Sequence, residues 1–108
     1  WAEIGVAART AAVARSASSA LAAAGIPSEV TVGTMHGMKG LEFRCVAVVG
    51  VSQRYVPAPS AVTSATDDQR SHDLGIQRER CLLFVACTRA RENLVVSWHE
   101  TPSRLLPT

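Results

Sequence analysis

The chain has 108 residues, which fits one small domain, and 47% of them are hydrophobic, enough to build a buried core. Eleven lysines and arginines against nine acidic residues give a net charge of +2, well short of the basic excess that by itself marks a nucleic-acid-binding protein. Three cysteines without a Cys-x-x-Cys pair argue against a zinc site and against a disulfide framework, so we predict no metal site.

The amino-terminal residues lack the basic start and apolar run of a secretory signal. The apolar stretches are also far shorter than the roughly 20 residues that span a bilayer. We therefore expect a cytoplasmic, reduced location and no membrane partner.

The first predicted elements are a strand and a helix. EIGVAA (Glu3–Ala8) is a short apolar run bounded by charge, which favours a buried strand. The alanine-rich segment that follows predicts a helix, with Thr10 as its N-cap and Gly25 just after its last turn. Helical spacing places four apolar residues on one face of this helix: Val13, Ala17, Leu21 and Ala24.

The rest of the chain alternates in the same way. In chain order we predict strands at 29–35 and 43–51, a polar loop at 52–73, a helix at 74–91, a strand at 93–98 and a last helical turn at 101–106. Ile76, Leu83, Arg80 and Cys87 share one face of the second helix. The nearly continuous apolar run at 43–51 is typical of a strand buried on both faces. The pattern predicts an α/β fold, a mostly parallel sheet with helices on both faces.

The stretch TMHGMKGLEF (Thr34–Phe43) is a poor start for a core strand, because a histidine, a lysine and a glutamate stand among two glycines. Its lysine, Lys39, is the chain's only one beside ten arginines. Gly37 and Gly40 favour turns whatever else the stretch does. We therefore expect the polar side chains of this stretch to lie outside the core and to contact something other than the core.

This stretch resembles motif V of the superfamily 1 helicases of the UvrD/Rep type. RERCLLFVACTRARENLVVS (78–97) resembles motif VI, and IGVAART (4–10) resembles motif IV. The three occur in the family's order and cover most of the chain apart from the loop at 51–72. The resemblance implies that residues 1–108 are the second RecA-like domain of such a helicase, a piece of a longer chain.

The resemblance also implies a function, that of an ATP-dependent DNA helicase or translocase associated with DNA repair. The Walker A pattern G-x-x-x-x-G-K-[ST] and the acidic Walker B strand belong to the family's first RecA-like domain, and neither occurs here. ATP with Mg²⁺ would therefore be held mainly by that amino-terminal RecA-like domain, and the other implied partner is single-stranded DNA. We expect the 108 residues alone to be catalytically inactive.

The family motifs assign the catalytic roles to two arginines. Arg89 matches the motif VI arginine that acts as a finger on the γ-phosphate, and Arg9 matches the motif IV arginine with a similar role. Guanidinium suits the developing charge of phosphoryl transfer, because it is always charged and presents a rigid fork of donors.

The family's motif V divides its residues between nucleotide and DNA. Gly40 and Glu42 match the nucleotide side, where Glu42 would contact the ribose. Thr34 and His36 match positions that face single-stranded DNA. Lys39 would link the two sides, so the stretch is interpreted as a loop that couples ATP to DNA.

Each of these residues also has a plainer interpretation. Arg9 is then a solvated charge at a strand end, Arg89 and Arg91 are the basic last turn of a helix, His36 is a turn histidine and Glu42 is a surface carboxylate. Glu79 and Arg80 would make ion pairs on the helix surface. Phe84 and Trp98 are predicted in the core, and Tyr55 as a loop aromatic.

The sequence departs from the family pattern at three places. Cys81 stands where motif VI commonly has a second arginine, and Phe84 where it commonly has a tyrosine. The segment from Gly25 to Gly33 leaves no room for the accessory domain that relatives often insert there, or such an insertion was removed. A rival hypothesis is a non-catalytic, helicase-like module that binds DNA or protein. Direction of movement, DNA or RNA preference, pathway and oligomeric state are not determined by the sequence.

Overall fold

The computed structural model describes residues 3–27 and 29–106, and within these ranges strands and helices alternate along the chain. The elements are β1 (Ile4–Ala8), α1 (Ala11–Ala23), β2 (Thr31–Thr34), β3 (Phe43–Val48), α2 (Gln69–Cys87) and β4 (Ala90–Val96). A short 3-10 helix, Pro59–Ala61, lies in the connection between β3 and α2.

The strands form one sheet in the order β2-β1-β3-β4, and each pair of neighbours is parallel. Val6, in the middle of β1, lies opposite Val32 of β2 on one side and Ala47 of β3 on the other. Right-handed crossovers then place α1 on one face of the sheet and α2 on the other. The predicted α/β fold is confirmed.

Helix α1 begins and ends where the sequence predicts. The Thr10 hydroxyl accepts a hydrogen bond from the Val13 amide at 3.3 Å, which caps the first turn. At the other end Gly25 has a φ of 77°, and the Ile26 amide reaches back to the Leu21 carbonyl at 2.9 Å, as in a Schellman motif. The predicted apolar face needs one correction, since Ala14 is buried and the capping residue Ala24 is exposed.

The central strand β1 carries a glycine because an aromatic ring lies directly over it. Ring atoms of the buried Phe43 lie 2.6–2.9 Å from the position that a Cβ of Gly5 would occupy. Real Cβ atoms essentially never come so close, so this position requires a residue without a side chain. The core around the ring unites side chains of the sheet, of α2 and of the connections: Met35, Met38, Val46, Val48, Val51, Val56, Leu82, Leu83 and Ala86.

Helix α2 begins at Gln69 rather than at Leu74, within the segment predicted as a loop. The Asp68 carboxylate accepts hydrogen bonds from the amides of Arg70 and Ser71 at 3.0 and 3.3 Å, and this cap starts the helix among polar residues. The cap also holds the pKa of Asp68 below its usual range, chiefly through the Ser71 hydroxyl.

The remainder of the predicted loop at 52–73 is also more structured than its composition indicated. Val56 and Ala58 are buried, and Gly75 of α2 packs so closely on the 3-10 helix that an added Cβ would lie 2.9 Å from the Ala61 carbonyl. The final segment forms no helical turn at its start, because Pro102 pairs with Ser52 in an isolated antiparallel bridge.

The end of α2 also differs from the prediction. The helix ends at Cys87 and β4 begins at Ala90, so Arg91 lies in the strand and not in the last helical turn. Its guanidinium pairs with the Glu3 carboxylate at 3.3 Å. The interpretation of Arg91 as a helix-end charge is therefore wrong.

Three side chains of the second half are placed differently from the prediction. Phe84 and Trp98, predicted in the core, are 68% and 50% exposed. Phe84 follows the buried Leu82 and Leu83 on α2 and so falls on its outer side. Arg80 is likewise exposed and does not share the buried face. Tyr55 is exposed in its loop, with the Arg54 guanidinium 5.7 Å from the centre of its ring.

Candidate nucleotide-facing cleft

A cleft of about 580 Å³ lies where the carboxyl ends of β1 and β2 meet the side of α2. Three residues that the family motifs single out line it: Arg9, His36 and Lys39. The α2 side supplies Gln77, Arg78, Glu79, Cys81, Leu82 and Val85. In parallel α/β sheets the carboxyl ends of strands are the usual place for a ligand. The fold thus brings cations from two different loops to one such edge.

Arg9 is held in this cleft by a buried carboxylate. Its Nε–H donates to Oε1 of Glu79 at 2.9 Å, and its Nη2 donates to Oε2 at 3.0 Å. The side chains of Arg9 and Glu79 are only 14% and 4% exposed. The plainer interpretation of Arg9 as a solvated charge is therefore wrong, and so is that of Glu79 as a helix-surface residue.

Glu79 has a further partner on the loop after β3. Its Oε1 also accepts a hydrogen bond from the Ala58 amide at 2.6 Å. Burial by itself would raise the pKa of the Glu79 carboxyl, but the hydrogen bonds from Arg9 and Ala58 outweigh it and keep the pKa below its usual range. The carboxylate is charged at neutral pH and joins β1, α2 and the loop at one point.

The 35–42 loop, which connects β2 to β3, is anchored by methionines and exposes its polar residues. Met35 and Met38 are buried, at 1% and 2% exposure, whereas the residues between and after them are exposed. The exposed members include His36, Lys39, Gly40 and Glu42. The polar residues of the stretch thus lie on a surface loop that two buried methionines hold against the core, outside the core as its composition predicted.

Turn geometry explains two of the loop's predicted functional residues. The Thr34 hydroxyl accepts a hydrogen bond from the Gly37 amide at 3.1 Å, so it supports the turn from within. Gly40 has a φ of 80°, a conformation that residues with a side chain rarely adopt. Both residues shape the loop, whatever they contact outside it.

Arg89 lies at the other end of α2. Its Nε–H donates to the Val85 carbonyl at 3.0 Å, and its Nη1 donates to the Leu41 carbonyl at 3.3 Å. The Phe43 amide in turn donates to the Arg89 carbonyl at 2.9 Å. These bonds fasten the carboxyl end of α2 to the 35–42 loop between Gly40 and Glu42.

The predicted site residues therefore fall into two groups. Arg9, His36 and Lys39 share the cleft, while Arg89 contacts the loop next to Gly40 and Glu42. The rise of an α-helix puts about 15 Å along α2 between Glu79, the partner of Arg9, and Arg89. The 35–42 loop reaches both groups, and the two arginines do not contact each other.

Sequence reasoning missed the role of Glu79. The buried residues of α2 are Gly75, Glu79, Leu82, Leu83 and Ala86, spaced along one helical face. A glutamate in the middle of such a face requires a partner, because an unpaired buried carboxylate is costly. This spacing could have predicted that Glu79 is buried and has a partner. It could not have predicted that the partner is Arg9.

Neither helix of the described ranges has the length and apolar character needed to cross a membrane. Within the same ranges, histidine, cysteine, aspartate and glutamate form no cluster suited to a metal ion.

Comparison with known proteins gives consistent results. Residues 8–101 match the family model described as the UvrD-like helicase C-terminal domain. The ATP-dependent DNA helicase PcrA of Staphylococcus aureus (strain Mu50) is 40% identical over 77 residues, 71% of this chain and 10% of PcrA. The ATP-dependent DNA helicase UvrD2 of Mycobacterium tuberculosis (strain H37Rv) is 35% identical over 69 residues, 64% of this chain and 9% of UvrD2. The chain spans about a tenth of the length of these relatives.

A solved structure supports the fold. The C-terminal domain of a possible DNA helicase from Lactobacillus plantarum WCFS1 superposes with a TM-score of 0.67 over 95% of this chain and 60% of that one, at 22% identity. The family model covers most of the chain, and the observed sheet and helices agree with the helicase domain. The chain belongs to the UvrD-like helicase C-terminal domain family.

Proposed function

We propose that this chain is the second RecA-like domain of an ATP-dependent DNA helicase or translocase. The observation that carries the proposal is the family membership together with the cleft, in which Arg9, His36 and Lys39 lie at the carboxyl edge of a parallel sheet. The domain completes an ATP site whose phosphate loop and Mg²⁺ belong to an amino-terminal RecA-like domain. A cytoplasmic location and an association with DNA repair belong to the same proposal.

In this proposal the arginines act on the γ-phosphate across the gap between the two domains. Arg89 is the finger, and Arg9 approaches the same nucleotide from the cleft. Cations fixed before the reaction stabilise the charge that develops on the transferred phosphoryl group, and they act only when the domains close. Closure therefore depends on ATP, and the movement of DNA follows from closure.

The 35–42 loop would connect nucleotide and DNA. Gly40 and Glu42 lie next to the backbone that Arg89 holds, and we assign them to the phosphate and ribose of the nucleotide, with Lys39 as the link. His36 and Thr34 are assigned to single-stranded DNA. The support is that one short loop, anchored by Met35 and Met38, reaches both arginine groups.

The test is the DNA-stimulated ATPase activity of the full-length protein that contains this domain. Arg89→Ala should lower turnover by roughly 10³–10⁵ and leave nucleotide binding nearly unchanged, because a finger acts on the transition state. Arg91→Ala is the matched control, since Arg91 makes a surface pair with Glu3. Equal, mild losses for both variants would contradict the assignment, and a wild-type protein without ATPase activity would favour the non-catalytic module.

A further inference from the structure

The proposed mechanism uses Arg9 but not the carboxylate that holds it. Glu79 is 4% exposed, lies in the middle of α2 and is one of the residues that line the cleft. Its two oxygens accept hydrogen bonds from Arg9 and from the Ala58 amide. Within the described residues, no other carboxylate pairs with Arg9.

The geometry of the pair fixes the guanidinium from one side. Nε and Nη2 of Arg9 are both engaged by Glu79, whereas Nη1 donates to no group in the described part of the chain. Arg9 also lines the cleft. The pair thus leaves one end of a charged donor fork available there.

The second bond keeps the carboxylate itself in place. Oε1 of Glu79 accepts a hydrogen bond from the Ala58 backbone amide at 2.6 Å. Rotation of the Glu79 side chain would break this bond, so the bond holds the carboxylate in one orientation. An arginine loses rotamer entropy when it binds an anion, and an arginine already held in one orientation loses less. A buried ion pair that served stability alone would not need a guanidinium nitrogen, here Nη1 of Arg9, left without a partner beside a cleft.

We propose that Glu79 is a positioning residue for the ATPase reaction: it holds Arg9 in the orientation in which the free end of the guanidinium meets the phosphoryl group. This inference rests on the proposed function of Arg9. Glu79 itself touches neither nucleotide nor DNA and acts through Arg9 alone.

The experiment is a double-mutant cycle on the full-length protein, with kcat and KM for ATP measured at saturating single-stranded DNA. The variants are Arg9→Gln, Glu79→Gln and the double substitution. Glutamine at position 79 keeps the shape and an acceptor for the Ala58 amide, but it loses the charge and one acceptor toward Arg9. Melting temperatures of all variants accompany the kinetics.

If Glu79 acts through Arg9, Glu79→Gln lowers kcat by about 10²-fold, the loss expected from a misplaced catalytic group, and changes KM little. In the Arg9→Gln background the same change should cost less than about twofold, since coupled residues are non-additive. Breaking the buried pair should lower the melting temperature whichever role is right, so kcat decides. A purely structural role would leave kcat of the folded enzyme intact in both backgrounds, which would overturn the inference.

The cycle also separates this inference from the proposed function. If Arg9→Gln retains the wild-type kcat, the assigned role of Arg9 is wrong and the inference fails with it. If Arg9→Gln is slow while Glu79→Gln is fast, or if the two losses simply multiply, the role of Arg9 stands and only the positioning role of Glu79 is rejected.

Discussion

The two arginines of the proposed ATP site are held in opposite ways. Arg9 is nearly buried and is bound by a charged carboxylate, whereas Arg89 is half-buried and donates to two main-chain carbonyls. A buried charge pair depends on both partners, because either one alone is left uncompensated. Main-chain carbonyls near the surface can accept hydrogen bonds from water instead when the Arg89 guanidinium is removed. Removal of the first arginine should therefore destabilise the fold much more than removal of the second.

The largest effect should follow the removal of Arg9. We expect Arg9→Ala to lower the free energy of unfolding by about 3–5 kcal/mol, because the Glu79 charge stays buried without its partner. Urea denaturation of the chain measures this change. Arg15→Ala is the matched control on the exposed side of α1 and should change the free energy by less than about 0.5 kcal/mol. Similar losses for both variants would show that the buried pair is dispensable.

Acid should weaken the same pair, although by less. The pKa of Glu79 lies lower in the folded chain than in the unfolded one. The unfolded chain therefore takes up a proton first as the pH falls. The stabilisation by this group is complete above its ordinary pKa of 4.5 and is lost as the pH falls through the lower, folded-state value.

The measurement is the urea midpoint between neutral pH and about pH 3, with Glu79→Gln as the comparison, since that variant has no proton to bind at this position. The midpoint of the variant should depend less on pH across the acidic range. Parallel curves for both proteins would show that another carboxylate is responsible for acid sensitivity.

The smallest effect should be that of Arg89→Ala on stability. Its hydrogen bonds to the Val85 and Leu41 carbonyls are each worth about 0.5–1.5 kcal/mol at most, and water can replace them. We expect a total loss near 1 kcal/mol, measured by the same denaturation. A loss as large as that for Arg9→Ala would remove the contrast between the two arginines, and the kinetic test of Arg89 would then have to be corrected for unfolding.

The sequence predicted those parts of the fold whose causes are local. Thr10 and Gly25 mark the ends of α1 because an N-cap and a left-handed glycine act within a few residues of themselves. The start of α2 was missed because Asp68 caps the helix within a run of polar residues that equally suits a loop. A run of charged and small polar residues does not distinguish the first turn of a capped helix from a loop.

The candidate site was less predictable because its contacts are distant in sequence. Arg9 and Glu79 are 70 positions apart, and Arg89 meets the Leu41 carbonyl across 48 positions. The motifs selected the arginines through resemblance, but they carried no information on what holds each one. Burial of Glu79 follows from the helical spacing of its neighbours, whereas the identity of its partner requires the fold.

The ring of Phe43 over Gly5 has a consequence for how this chain can vary. The two residues lie on neighbouring strands, and the space that a methyl group would need at position 5 is filled by the ring. A residue with a side chain at position 5 therefore requires that the ring at position 43 move or be replaced by a smaller side chain. Homologous sequences with a side chain at position 5 should carry a smaller residue at position 43. The two positions should therefore covary among homologues.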